Sequence, residues 1–207
     1  MVGVGVKWSD AGRHLEGGRP GTRSSIRGPP VPTRVEIVRK MGPMEHCYEC
    51  GFDRSLDEAP ASGPAIVQGA TIVAQALNDH TADVVSRREP QTWSPLEYGC
   101  HLRDVLLVQR ERVLLARRAD RPSPPLMGRE ERVEHDGYSE QDPADVARQL
   151  TDAARMFSNV LYRLGADWER LVVYDGLEPP ERSLRWVAID TWHEVHHHLR
   201  DVKRQLV

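Results

Sequence analysis

The sequence predicts an all-α protein, an antiparallel four-helix bundle with a long crossover loop and a disordered N-terminal tail. Three observations carry this prediction. Apolar residues recur at alternating steps of four and three in four separate segments of about 20 residues each. One of the gaps between these segments is long, rich in proline and then in charge. Residues 1–43 are rich in Gly, Pro, Arg and Ser and show no sustained period.

The first segment predicts a helix from Ser62 to about Arg88, shortly before Pro90. His80 falls on its apolar line and is predicted to be a core histidine, with a position near a metal as the alternative. The apolar line consists of Ile66, Ala70, Val73, Leu77, His80 and Val84.

The second helix has a clear beginning. Ser94 is the expected N-cap, Pro95 the first helical residue, and Glu97 completes a capping box. On its inward face His101 is a core histidine if it acts alone, and a candidate ligand if other ligands lie nearby. The inward face comprises Tyr98, His101, Val105 and Val108, broadened by Leu102, Leu106 and Val113.

Residues 120–141 are predicted to form the long crossover loop. Asp142 and Pro143 then cap a third helix whose apolar residues run from Val146 to Leu164. Residues 171–176 suggest a short strand that enters a tight turn before the fourth helix.

The fourth helix contains the richest group of polar residues. Its seam, counted from Leu184, includes His198, and Glu194 lies four residues earlier on the same side. His193 and His197 complete a literal H-E-x-x-H but are predicted to be mostly solvent-facing, or to support the site as alternative ligands. A metalloprotease of that type needs a third ligand further along, and no His or Glu follows His198. The plainest alternative is a His-rich helix end without metal.

Together His101, Glu194 and His198 form a three-ligand set that leaves positions open, as in catalytic zinc sites; nickel and iron are alternatives. Asp201 is placed to orient His198 through its second ring nitrogen. A helix-end salt bridge with Lys203 or Arg204 is the alternative for Asp201.

Cys47 and Cys50 form a C-x-x-C pair, which is half of a zinc knuckle, and no second pair exists. Cys100 and His46 are the only other obvious ligands of suitable type. An ordered N-terminal turn is therefore preferred to a metal or redox role for this pair.

Composition narrows the function further. The net charge is −3, yet residues 1–43 hold eight Lys/Arg against three Asp/Glu, so the remaining body is acidic and nucleic-acid binding is not expected. No membrane span or signal peptide is evident, and the cytoplasm is the expected location. The predicted domain covers residues 44–207, and an overlong gene start before Met44 is the alternative to a genuine tail.

Two motifs carry a family resemblance. Trp93-Ser94-x-x-Glu97-x-x-x-His101-Leu102-x-Asp104 and Glu194-x-x-His197-His198-x-x-Asp201-Val202 resemble the DinB-like superfamily of metal-dependent four-helix bundles, over roughly residues 65–207. The resemblance implies a divalent metal at one histidine of the second helix and two residues of the fourth. In the branch with mycothiol-dependent maleylpyruvate isomerase these are Glu and then His, which match Glu194 and His198.

The resemblance implies an enzyme in which the metal activates a low-molecular-weight thiol, such as mycothiol, for thiol transfer or thiol-dependent isomerisation of a small molecule. Hydrolysis by a metal-bound water is the near variant. Tyr98 and His197 are candidate proton carriers by position. A non-catalytic bundle that binds a metal or small molecule is the alternative, and a homodimer is compatible with either.

Overall fold

The computed structural model describes residues 46–206; the predictions for the tail and the Met44 start lie outside this range. Within these residues, five α-helices, three short 3-10 helices and two small antiparallel sheets make up the fold. The helices are α1 (Ser62–Leu77), α2 (Pro95–Arg118), α3 (Arg129–His135), α4 (Pro143–Tyr162) and α5 (Leu184–Leu206). The strands are β1 (His46–Cys47) with β2 (Phe52–Asp53), and β3 (Leu171–Val173) with β4 (Glu181–Ser183).

Helices α1, α2, α4 and α5 form the predicted four-helix bundle. α1 and α2 each pack against both α4 and α5 and contact each other less. The beginning of α2 at Gly99 lies against Leu77 at the end of α1 and Val146 at the beginning of α4. Since the crossover returns the chain to the end where α2 began, α2 and α4 run parallel, and so do α1 and α5. The α1/α4 and α2/α5 pairs are antiparallel.

The predicted helix beginnings are confirmed. The Ser94 side chain accepts from the Glu97 N–H at 3.2 Å, and the Glu97 carboxylate accepts from the Ser94 N–H at 2.8 Å, which completes the capping box. Asp142 caps α4 by accepting from Asp145 N–H at 2.9 Å. Both helices carry Pro in their first turn, where a missing N–H is tolerated.

The prediction that the first helix runs to about Arg88 is wrong. α1 ends at Leu77, and His80 is exposed rather than buried on an apolar line. The Asp79 carboxylate accepts hydrogen bonds from the Thr81 N–H and hydroxyl at 2.9 and 2.6 Å, which offers the backbone a turn in place of the next helical turn. Val84 is buried, but it reaches the core from the loop that follows.

The crossover is more ordered than the loop that was predicted for residues 120–141. It contains α3, which has no buried residue, and a 3-10 turn that places Tyr138 in the core with no exposed surface. The Tyr138 hydroxyl donates to Asp104 Oδ2 at 2.8 Å, and Arg132 donates to the same oxygen at 3.0 Å. Because Asp104 belongs to α2, these bonds hold the crossover against the bundle.

Two small sheets sit at the ends of the bundle helices. The predicted strand at residues 171–173 is present and pairs with β4, which leads directly into α5. The β1–β2 hairpin lies on α5, where the buried Phe52 ring packs edge-on against Trp192 at 5.1 Å between ring centroids. No helix within residues 46–206 combines the length and apolarity needed to cross a membrane.

Candidate metal centre

Three donor side chains converge between α2 and α5. His101 lies in the second turn of α2, and Glu194 and His198 lie one turn apart near the end of α5, so the antiparallel packing of these helices brings them together. Glu194 Oε2 is 3.4 Å from His101 Nε2 and 3.4 Å from His198 Nε2. The two imidazole rings meet edge to face, with centroids 5.0 Å apart.

The spacing of these atoms fits a metal better than a hydrogen-bonded cluster. One donor atom from each of the three residues lies within 4.8 Å of the others. Zinc ligands at about 2.0–2.1 Å in a tetrahedron lie about 3.3 Å apart, close to the two observed separations of 3.4 Å. A charge-assisted N–H···O⁻ bond is shorter, about 2.8 Å. The donor set of two imidazoles and one carboxylate therefore fits a divalent ion with an open position.

Asp201 fixes the orientation of His198. Its Oδ2 lies 2.9 Å from His198 Nδ1, so the ring directs Nε2 toward Glu194. Burial opposes a charge on His198, but the hydrogen bonds and negative charges of Asp201 and Glu194 outweigh it and raise its pKa to about 9. When no metal is bound, His198 is therefore protonated at neutral pH, and its positive charge interacts favourably with the carboxylates of Asp201 and Glu194.

The other two ligands are held in the forms that bind metals. Burial lowers the pKa of His101, which is 1% exposed, so its imidazole is neutral and has a free lone pair. Burial acts against ionisation of Glu194, yet the adjacent rings of His101 and His198 hold its pKa well below the usual range. His101 Nδ1 is buried without a hydrogen-bond partner in the described part of the chain, which leaves its orientation to packing.

Aromatic rings surround the two histidines. Trp93 packs on His101 with ring centroids 5.1 Å apart, and Tyr98 packs on His198 at the same distance. Burial and the charge of Asp201 raise the pKa of Tyr98 to about 12, so its phenol is a proton donor rather than a base at neutral pH. The rings leave Glu194, whose side chain is 31% exposed, as the open side of the cluster.

The structure places His193 and His197 differently from the prediction that they are mostly solvent-facing. His193 is 7% exposed and buried against the N-terminal hairpin, and the His197 side chain is 20% exposed. Both face Cys47 and Cys50, and one donor atom from each of these four residues lies within 4.8 Å of the others. The sequence signal was present, because a C-x-x-C pair and an i, i+4 histidine pair are each half of a ligand set.

Asp190 was missed in the sequence. It lies four residues before Glu194 on α5 and is only partly exposed. Burial and the negative charge of Glu194 raise its pKa to about 7. A carboxyl group one turn before a predicted ligand was the available sequence signal. A cation bound by His101, Glu194 and His198 would relieve the repulsion between the Asp190 and Glu194 carboxyl groups.

Comparisons with known proteins agree with this architecture. The family model of the DinB superfamily matches residues 65–200. Among solved structures, the chain is similar to YfiT from Bacillus subtilis, described as "a probable metal-dependent hydrolase with an unusual four-helix bundle topology". The TM-score is 0.62 at 15% identity, over 73% of this chain and 87% of YfiT, which supports a shared fold. A comparison with curated proteins finds no match. Because the family model spans more than half of the sequence, this chain is a member of the DinB superfamily.

Proposed function

We propose that His101, Glu194 and His198 bind one divalent metal ion and that the protein is an enzyme that acts on a small molecule at this ion. The observation that carries the proposal is the convergence of three donor side chains from two helices of the bundle, with Glu194 Oε2 3.4 Å from a ring nitrogen of each histidine. Zinc is the first candidate because it takes imidazole and carboxylate ligands with an open position; nickel and iron accept the same donors.

Each side chain has a definable task in this proposal. His101 offers a neutral Nε2 from the buried wall, and Asp201 holds His198 through Nδ1 so that its Nε2 faces the same point. Glu194 supplies negative charge on the open side. A divalent ion held in this way lowers the pKa of a bound thiol or water and makes a nucleophile available at neutral pH.

A low-molecular-weight thiol, such as mycothiol, is the first candidate for the nucleophile, in thiol transfer or thiol-dependent isomerisation. The support is the Glu-then-His order on α5, which resembles the mycothiol-dependent branch of the superfamily. Hydrolysis is the second candidate, supported by the description of YfiT as a metal-dependent hydrolase. Tyr98 is the candidate proton donor, because its ring lies against His198. His197, the other candidate, lies between Cys47 and Asp201 on the side of α5 that faces the hairpin, so Tyr98 is preferred as the proton donor.

Elemental analysis tests the metal site directly. Tag-free protein is purified without added metal, as wild type and as His101→Ala and His198→Ala. Each substitution is expected to remove about one equivalent of metal, because two remaining ligands bind weakly. His80→Ala is the matched control, since His80 is an exposed histidine outside the cluster. Unchanged metal content in both cluster variants would overturn the proposed site.

A second experiment separates catalysis from binding and thiol from water. Thermal unfolding of metal-loaded protein is followed with mycothiol and other thiols, since a ligand that binds only the native state raises the Tm. A Tm increase that requires the metal, together with turnover of a thiol-dependent reaction, supports a thiol enzyme; no Tm increase together with turnover of ester or amide substrates supports hydrolysis. Glu194→Gln is expected to lower turnover of any substrate found. Ligand binding without turnover would identify a non-catalytic bundle.

A further inference from the structure

The N-terminal hairpin and the last helix bring together a second group of metal-binding side chains. Cys47 and Cys50 lie at the turn between β1 and β2, and His193 and His197 lie one turn apart on α5. One donor atom from each lies within 4.8 Å of all the others. We propose that these four residues bind a second metal ion, a zinc ion in a closed Cys2His2 site, which fastens the hairpin to α5.

The hairpin has the backbone that a pair of thiolate ligands requires. Gly51 adopts φ +75°, a conformation suited to glycine, and its N–H donates to the Cys47 carbonyl at 2.7 Å. The turn therefore directs both thiols to one side. The backbones of Cys50 and Glu49 hydrogen-bond the Cys47 sulfur. The same hydrogen bonds stabilise a thiolate at the position of a ligand.

The position of His197 matches that of a zinc ligand. Its Nδ1 lies 3.7 Å from Cys47 Sγ, and ligands at about 2.3 Å for sulfur and 2.1 Å for nitrogen lie about 3.6 Å apart around tetrahedral zinc. Its Nε2 faces two carboxylates, Glu49 at 3.4 Å and Asp201 at 3.6 Å. A metal-bound histidine commonly donates its other ring N–H to a carboxylate, so both nitrogens of His197 have suitable partners.

His193 is the buried member of this group. It is 7% exposed, and one of its ring nitrogens lies within 4.8 Å of a donor atom of each of the other three residues. Arg54 donates to His193 Nδ1 at 2.7 Å, so a metal ion on that nitrogen would take the place of this hydrogen bond. The Arg54 guanidinium thus places a positive charge beside the two thiols and the His193 ring, where the proposed zinc ion would also place one.

Helix α5 separates the Cys47/Cys50/His193/His197 group from the first group of ligands, His101, Glu194 and His198. Successive residues of an α-helix are rotated by about 100°, so the His193/His197 pair and the Glu194/His198 pair lie on adjacent faces of α5. Phe52 packs on Trp192, His193 and His196, which keeps the hairpin on the first of these faces. With four protein ligands the second site has no open position, which is typical of structural zinc. Zinc binding displaces the two thiol protons to solvent, and nothing is oxidised or reduced.

Zinc content and cobalt spectra test this proposal on the full chain. Wild type is expected to hold about two equivalents of zinc, and the Cys47→Ser/Cys50→Ser variant about one. The cobalt-loaded wild type is expected to show a thiolate-to-cobalt charge-transfer band and intense visible bands of tetrahedral cobalt. His101→Ala should keep the thiolate band while losing one equivalent. Cys100→Ser is the matched control, because Cys100 is a buried cysteine outside the four-residue group, and its thiol donates to Tyr138 and Gln141.

Three results would overturn the second site: no thiolate band in cobalt-loaded wild type, unchanged zinc content in the double cysteine variant, or a disulfide between Cys47 and Cys50 in protein isolated without reductant. His197→Ala provides an independent variant that removes a ligand without touching the hairpin. If the cysteine variant does not fold, the wild-type cobalt spectrum still decides the question. Since His101→Ala and the cysteine variant remove different equivalents, the failure of one site is distinguishable from the failure of the other.

Discussion

Raising the pH is expected to destabilise the metal-free protein through His198. The folded pKa of about 9 lies above the ordinary value of 6.5, because Asp201 and Glu194 favour the protonated ring. A group with a raised folded pKa contributes its full stabilisation below 6.5 and loses it as the pH rises through 9. The difference of about 2.5 units corresponds to about 3 kcal/mol of unfolding free energy, with little reduction for solvent because the side chain is 14% exposed.

The assay is urea unfolding in the presence of a strong chelator, at intervals from pH 6 to pH 10, for wild type and His198→Gln. The unfolding free energy of wild type is expected to fall by up to about 3 kcal/mol more than that of the variant. Glu194 adds no slope in this range, because its depressed pKa places its titration below pH 4.5. Asp201→Asn should shift the loss to lower pH. Parallel curves for wild type and His198→Gln would refute the reasoning.

Three further predictions concern metal affinity, capping and packing. The zinc affinity of the His198 centre is expected to rise about tenfold per pH unit up to about pH 9, because the ring must lose its proton; competition with a chromophoric chelator measures this. Ser94→Ala is expected to lower the unfolding free energy by about 1 kcal/mol in urea titration, whereas Ser123→Ala, at an exposed site, should change it by less than about 0.5 kcal/mol. Gly69→Ala would place a Cβ 2.6 Å from Val195 Cγ1, so a loss of about 1–3 kcal/mol is expected, with a lower Tm; an unchanged Tm would show that α1 and α5 pack less closely than described.

Local patterns were sufficient to predict the bundle helices where the chain itself carries the signals. The capping box of α2 and the Asp142 cap of α4 are interactions between residues three apart, and each helix has a proline in its first turn, so both beginnings could be read directly. The end of α1 could not be read from periodicity, because Val84 continues the four-three spacing from outside the helix. The turn at Asp79 decided the boundary, and its side-chain hydrogen bonds compete with helix at a short range that apolar periodicity does not reflect.

Helix α3 escaped prediction for a different reason. All of its residues are at least partly exposed, so it has no apolar stripe. Its position depends instead on two hydrogen bonds to Asp104 of α2, one from Arg132 within the helix and one from Tyr138, which follows it. In the same way, the orientation of His193 toward the hairpin depends on a contact between residues far apart in the sequence, since Arg54 donates to His193. The seam of α5 predicted which residues meet α2, but it held no information about what covers the adjacent face.

The cysteines and histidines of the proposed Cys2His2 group lie at opposite ends of the described chain, so they are synthesised at different times. His197 lies 150 residues after Cys47, so at a synthesis rate of about 5–20 residues per second the thiols leave the ribosome about 8–30 s before their partner. During that interval the two thiols of the hairpin are not yet covered by helix α5, which carries His193 and His197. Docking of the hairpin on α5 therefore has to wait until the last helix has been made.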